Sequence, residues 1–279
     1  CPYDSCRLLS INLYSYVENP FTFAATFNME LFKKHVHMAM RLMDDLIDLE
    51  MEKIAAILKK IESDPEDDEV KRTEYNLWKK IEKKSLGARR TGLGITAEGD
   101  MLAALGIRYG SDEAINFAVE VQKTLAVEAY RTSVEMAKER GAFPIYDAQR
   151  EVGNPMIERI KAADPALYED MVKYGRRNVS MLTIAPTGTT SLMTQTTSGI
   201  EPVFLPYYVR RRKVNPNDQN VNITFTDDVG DCWEEYYVFH HKFLDWCQVQ
   251  GLSKEEVVKM PVEKVDELVS KSPYYKASS

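Results

Sequence analysis

Two places in this 279-residue chain combine residue types and spacing that could do chemistry: residues 181–191, Met-Leu-Thr-Ile-Ala-Pro-Thr-Gly-Thr-Thr-Ser, and the thiol Cys6, preceded by Asp4 and Ser5. The first is an apolar, strand-like run that stops at Pro186, turns on Gly188 and passes through hydroxyl residues into Leu192 and Met193. A strand, a tight turn and a helix start present backbone N–H groups without intrahelical acceptors at the positive end of the helix dipole, where an anion fits. Gly188 removes the Cβ that would hold a ligand off the backbone, and Thr187, Thr189, Thr190 and Ser191 add hydroxyl donors. No lysine follows the glycine and no three glycines are spaced for a dinucleotide. Neither the triphosphatase loop nor the nicotinamide fingerprint is present, which counts against a general NAD-type oxidoreductase. Spacing alone leaves two readings open, a capped helix after a buried strand or a phosphate site. Cys6 taken alone is equally double: a core thiol, or a group at the strand end where substrates of α/β folds lie.

The elements that must position these residues alternate strands with long helices. A strand at Arg7-Leu-Leu-Ser-Ile-Asn-Leu13 precedes a helix over residues 28–63, in which Phe32, Val36, Ala39, Met40, Met43, Leu46 and Ile47 recur at three-to-four spacing. An acidic stretch at 63–69 ends it, and a Lys-rich helix around 75–84 leads into Ala88-Arg-Arg-Thr-Gly-Leu-Gly-Ile-Thr96, a strand whose glycines predict close backbone approach. A short helix at 100–105, a longer one from Ser111 to Arg140 stopped by Gly141, and two helices opened by Asn154-Pro155 and Asp164-Pro165 follow. Residues 178–185 read as the strand before the cradle. The last third reads as a β pair, 207–214 with 221–225, then a helix at 231–250 and another from Glu255. Such alternation implies parallel pairing and right-handed crossovers.

Other chemical groups read as structural. His35, His37, Asp44, Asp45 and Asp48 on the first long helix resemble a metal collection but lack His-x-x-x-His or Glu-x-x-His spacing, and Arg41 with Asp45 forms an i, i+4 ion pair, so no metal is expected. His240 and His241 are adjacent and point different ways on a helix, and Cys232 and Cys247 share that helix as buried thiols. A net charge of −7 argues against a nucleic-acid binder, and Arg210-Arg211-Arg212 reads as a solvated strand end. Neither a long apolar span nor a signal-peptide pattern occurs, so a cytoplasmic protein without membrane association is expected. Four cysteines make no disulfide scaffold at this length.

Six ordered motifs then carry a resemblance. Asp4-Ser-Cys-Arg-Leu-Leu-Ser-Ile-Asn-Leu13, Arg89-Arg-Thr-Gly-Leu-Gly-Ile95, Leu105-Gly-Ile-Arg-Tyr-Gly-Ser111, Gly175-Arg-Arg-Asn178, Ala185-Pro-Thr-Gly-Thr189 and Ser198-Gly-Ile-Glu-Pro202 resemble the catalytic subunit of ribonucleotide reductases, most closely the adenosylcobalamin-dependent class. The resemblance implies an α/β fold, part of a ten-stranded α/β barrel built as two five-stranded parallel halves. It implies conversion of ribonucleoside di- or triphosphates to 2′-deoxyribonucleotides by a thiyl radical, with a cysteine pair as reductant. Cys6 is then one redox-active thiol of that pair, and Ser5, Pro186, Thr187, Gly188, Thr189 and Thr190 bind substrate. Adenosylcobalamin as cofactor, a ribonucleotide substrate and a thioredoxin-like reductant acting through a tail follow from the same resemblance.

Departures from the family pattern shape the expectation. The Asn-Pro-Cys-x-Glu loop carrying the radical cysteine belongs upstream of Cys1, which is not that cysteine and matches no family role. Residues 1–279 therefore read as a single incomplete domain, the C-terminal portion of the catalytic barrel, needing the rest of its own barrel and leaving a homodimer open. The chain alone is expected to be inactive. Two alternatives stand beside this reading: a non-catalytic nucleotide-binding remnant, and the oxygen-dependent class with a separate radical-generating subunit.

Overall fold

A computed structural model describes residues 2–215 and 217–275, so Cys1 lies outside the described residues. In chain order it contains β1 (Arg7–Asn12), β2 (Val17–Glu18), β3 (Thr26–Phe27), α1 (Met29–Ser63), α2 (Asp68–Ala88), β4 (Thr91–Thr96), α3 (Glu98–Ala104) and α4 (Asp112–Arg140). It continues with α5 (Pro155–Ala163), α6 (Pro165–Tyr174), α7 (Gly188–Thr194), β5 (Tyr207–Lys213), β6 (Phe225–Thr226), β7 (Cys232–Phe239), α8 (His241–Val249), α9 (Lys254–Val258) and α10 (Val262–Lys271). The architecture is mixed α/β, with no closed barrel among the described residues. The chain forms two compact units, one of residues 1–12, 28–96 and 116–187, the other of 13–27, 97–115 and 188–279.

In the first unit β1 and β4 pair in parallel, Arg7 opposite Thr91 through Asn12 opposite Thr96, with α1 and α2 as the crossover. The Asn28 side chain accepts the Leu31 N–H at 3.0 Å, which starts α1 where the sequence places it. Its stripe of Phe32, Val36, Met40, Met43 and Ile47 is buried. Asn154 and Asp164 likewise cap α5 and α6, each with proline at the start. β4 is buried along its whole length, so it tolerates the neighbours on both sides that a parallel sheet requires.

The expected strand at 178–185 is reduced to one parallel bridge, Leu93 with Leu182. Residues 180–183 still follow β4 by backbone hydrogen bonds, Thr91 N–H to Ser180 O at 3.0 Å, Leu93 N–H to Met181 O at 2.6 Å and Thr183 N–H to Leu93 O at 3.0 Å. Pro186, which has no N–H to extend a ladder, stops the pairing soon after. The Arg41–Asp45 pair does not form: Arg41 binds Glu139 and Asp45 accepts from Arg140, because α4 offers carboxylate and guanidinium partners that the helix-local reading cannot see.

In the second unit β5, β7 and β6 form an antiparallel sheet in that order. The expected helix at 231–250 is corrected to a strand followed by a helix: Trp233, Tyr236, Tyr237, Val238 and Phe239 favour a pleated surface, and β7 takes β5 as its long partner in place of 221–225. Cys232 therefore lies on β7 and Cys247 on α8, not on one helix. A core of Phe239, Phe243, Leu244, Trp246, Cys247, Val257, Val265 and Tyr274 closes this unit. Cys247 is fully buried, and burial pushes its thiol up to about 11.

Candidate functional site

Cys6 stands just before β1, and the parallel register carries it alongside the start of β4. Gly92 makes that approach possible. A Cβ there would fall 2.5 Å from Cys6 Sγ, 2.8 Å from Thr183 Cγ2 and 2.9 Å from Leu8 Cδ2, so the sulfur occupies room that only glycine leaves. Gly94 meets a harder limit, the Thr183 carbonyl oxygen at 2.2 Å from the same hypothetical atom. The close backbone approach expected of these glycines is thus their actual role.

The residues around Cys6 form a charged frame. Asp4 Oδ2 accepts from Arg90 Nε at 2.6 Å, and Asp4 Oδ1 accepts the Ser5 N–H at 3.0 Å. Arg7 donates to the Ser5 carbonyl at 3.2 Å, the Arg90 carbonyl at 3.1 Å and Ser85 Oγ at 2.7 Å, and pairs with Glu50. Cys6 is exposed, yet the desolvation its sulfur does suffer lifts the thiol above its ordinary value; Arg90 and then Arg7 oppose that rise, and Asp4 adds to it. Such a thiol is reachable and held toward its protonated form.

Behind this frame lies a buried charge cluster. Asp44 is fully buried; its Oδ1 accepts from Arg89 Nε at 2.8 Å and Asn178 Nδ2 at 3.0 Å, and its Oδ2 from Arg177 Nε at 3.2 Å. Asp48 takes a second Arg89 nitrogen at 2.8 Å. Asp44, Asp45 and Asp48 lie close enough together to suggest a cation cage, but Arg89, Arg140 and Arg177 already supply their positive charge. Burial alone would push the Asp44 carboxyl up; the hydrogen bond and charge of Arg89, joined by Arg177, outweigh it and hold the carboxyl below its ordinary value.

Of the expected phosphate-binding residues, Pro186 is exposed and Thr187 is buried, its hydroxyl 2.8 Å from that of Thr96 at the end of β4. Gly188, Thr189 and Thr190 follow as the exposed first turn of α7. A Cβ on Gly188 would meet no atom within 4 Å. Ser191 is buried and donates to the Gly188 carbonyl at 2.9 Å, which leaves it a turn-forming role. Arg90, Asp4 and Gly92 escaped the sequence reading as functional residues, although the Arg-Arg pair before a glycine-rich strand was the available signal.

Elsewhere the second unit holds a buried polar group. Asp100 accepts from His240 Nε2 at 2.7 Å, the Tyr274 hydroxyl at 2.8 Å and the Thr197 N–H at 2.7 Å, so His240, at the N-cap position of α8, has a structural partner. A cavity of about 660 Å³ in the first unit, lined by Val127, Met156, Ile160 and Leu182, and one of about 740 Å³ in the second, beside Phe21 and Trp246, contain no candidate site residue. Both are of the size suited to drug-sized ligands, about 300–1,000 Å³.

The chain is similar to known proteins over most of its length. Residues 2–261 match the family described as ribonucleotide reductase, barrel domain. The chain is 30% identical over 209 residues to a vitamin B12-dependent ribonucleoside-diphosphate reductase of Mycobacterium tuberculosis, covering 75% of this chain and 23% of the relative. A protein of the same description from Thermoplasma acidophilum is 30% identical over 210 residues, 75% of this chain and 21% of the relative. The ribonucleoside-diphosphate reductase subunit alpha of Chlamydia pneumoniae is 27% identical over 226 residues, 74% and 19% of the two chains. The chain thus spans less than a quarter of the length of these relatives.

Proposed function

Because the chain belongs to the ribonucleotide reductase barrel-domain family, we propose that it supplies one reducing thiol and the phosphate-binding turn of a reductase that makes 2′-deoxyribonucleotides. The observation that carries this reading is the seat of Cys6, a reachable sulfur in the space that Gly92 leaves beside β4. In the proposed reaction Cys6 and a second thiol each give up a hydrogen and join as a disulfide, while the ribose loses its 2′ hydroxyl as water and gains hydrogen in its place. The two electrons come from the two S–H groups, so no metal is needed for this half of the reaction. Ser5 borders the reacting thiol. The first-turn N–H groups of Gly188, Thr189 and Thr190, with Pro186 and Thr187 shaping the approach, receive phosphate oxygens. β1, β4 and the 180–183 segment would be neighbouring parts of the family's ten-stranded barrel, in one domain with the rest of that barrel.

Adenosylcobalamin is the proposed cofactor of the whole protein, since two of the relatives above carry vitamin B12 dependence in their names. It would supply the initiating radical, and no residue of this chain is assigned to hold it. The match to relatives named subunit alpha favours a second reading, the oxygen-dependent class with a separate radical-generating subunit. Stimulation of the complete protein by adenosylcobalamin alone separates the two. A ribonucleoside diphosphate as substrate and a thioredoxin-like reductant belong to the same proposal, in a cytoplasmic protein; among the described residues no helix is long and apolar enough to cross a membrane. Cys6→Ser in the complete enzyme should allow at most a single or aberrant turnover. Normal multiple turnover of that variant would refute the reducing role.

A further inference from the structure

Two consecutive arginines at the foot of β4 go to different partners. Arg89 is buried, sits at φ 45° as the cap of α2, and is clamped by Asp44 and Asp48. Arg90, partly exposed, holds Asp4. The clamp on Arg89 fixes the backbone from which Arg90 departs, and Arg7 ties the carbonyls of Arg90 and Ser5 to one guanidinium nitrogen. Ser5, Cys6 and Arg90 are thereby joined in one small frame.

We propose that Arg90 is a positioning residue for Cys6: anchored through Arg89 and steered by Asp4, it keeps a fixed cation beside the sulfur and sets how readily that sulfur carries negative charge. The inference rests on the reducing role proposed for Cys6 and names what tunes it. Arg7 pairs with Thr91 in the parallel register, so Cys6 neighbours Arg90 across the two strands, and Gly92, two residues further on and therefore on the same face as Arg90, meets the sulfur. Arg90 and Arg7 favour the thiolate, Asp4 opposes it, and Glu50 on α1 occupies Arg7. Thr183, Leu8 and Gly92, the other neighbours, bring no charge. The use of Arg90 comes when the disulfide is reopened by a dithiol reductant. One reductant thiolate bonds to the partner sulfur, the old S–S bond breaks, and Cys6 leaves with the bonding electron pair as a thiolate beside Arg90. A leaving thiolate departs faster the better its charge is stabilised.

The test is iodoacetamide alkylation of Cys6 across pH, read by mass spectrometry in the full 279-residue chain carrying Cys1→Ser. Arg90→Met should move the profile to higher pH and slow alkylation near pH 7.5 by about three- to tenfold, the loss of thiolate for about half a unit to one unit. Arg90→Lys, which keeps the charge, should stay within about twofold of the parent. Raising salt to about 1 M should slow the parent toward the methionine variant and change that variant less, because Arg7 and Asp4 still act on the sulfur there with opposite signs. A methionine variant that superimposes on the parent overturns the proposal, as does a lysine variant as slow as the methionine one. The salt series needs no substitution at Arg90, so a parent rate indifferent to salt overturns it even if the variants misfold. Failure of the parent reading shows elsewhere: Cys6→Ser with normal turnover removes the reducing role and leaves the alkylation result standing.

Discussion

A Cβ at Gly94 of β4 would lie 2.2 Å from the Thr183 carbonyl oxygen, whereas one at Gly188, opening α7, would meet nothing within 4 Å. Neither glycine has a left-handed backbone, so conformational freedom explains neither. In β4 the protein's own backbone demands the missing side chain, because residues 180–183 run against the strand. At Gly188 the protein demands nothing. The room there is where the proposed phosphate would arrive, so the contrast sets a glycine required by architecture beside one proposed for recognition.

The packed side is broken most severely at its base. Asp44→Asn leaves the buried Arg89 and the half-buried Arg177 without their shared anion, and should cost about 3–5 kcal/mol in a urea titration. The same carboxyl gives an acid signature. Its folded value lies below the ordinary one, so its contribution is fully present above about pH 4 and is lost as pH falls through the folded value. Asp44→Asn should flatten that part of the stability–pH curve; an unchanged slope would show that the cluster is not what holds β4. Next in size, Gly94→Ala forces a methyl group against backbone that cannot swing aside. A loss of about 2–3 kcal/mol by the same titration is expected.

Local chemistry was legible in the sequence and distant partnership was not. The start of α1 follows from Asn28 and a 3.6-residue apolar stripe, and α5 and α6 from Asn154-Pro155 and Asp164-Pro165, because caps act within one turn. Residues 232–239 misread as helix for a related reason: aromatic and charged residues there fit either period, and only pairing with β5 decides for the strand. Asp44 was visible as a carboxylate in a histidine-rich helix. Its partners Arg89 and Arg177 lie 45 and 133 residues away, so the acidic group looked local when it is the hub of a tertiary cluster. At the candidate site the motifs exposed Cys6 and residues 186–190, while Arg90 and Asp4 emerge only once β1 and β4 lie side by side.

Gly92 tests the middle of the comparison. A methyl group there presses on the Cys6 sulfur and the Thr183 methyl, ends of short side chains that can shift, so Gly92→Ala should cost about 1–2 kcal/mol, less than Gly94→Ala. It should also change the alkylation rate of Cys6, which Gly94→Ala reaches only through unfolding. Equal costs at the two positions would mean that the sulfur has no slack of its own.

The smallest effect on stability carries the most about function. Gly188→Ala adds a methyl group in open space at a first helical position where alanine is a better helix former, so unfolding free energy should stay within about 0.5 kcal/mol of the parent or rise. The same methyl group would stand between the α7 amides and the proposed phosphate. Binding of a ribonucleoside diphosphate to the complete protein, measured by calorimetry, should weaken by about tenfold, the scale of one lost charge-assisted hydrogen bond. If affinity is unchanged while stability holds, the space above Gly188 is idle and the turn is a helix start alone. If stability falls instead, an unseen neighbour fills that space, and the two glycines obey one rule.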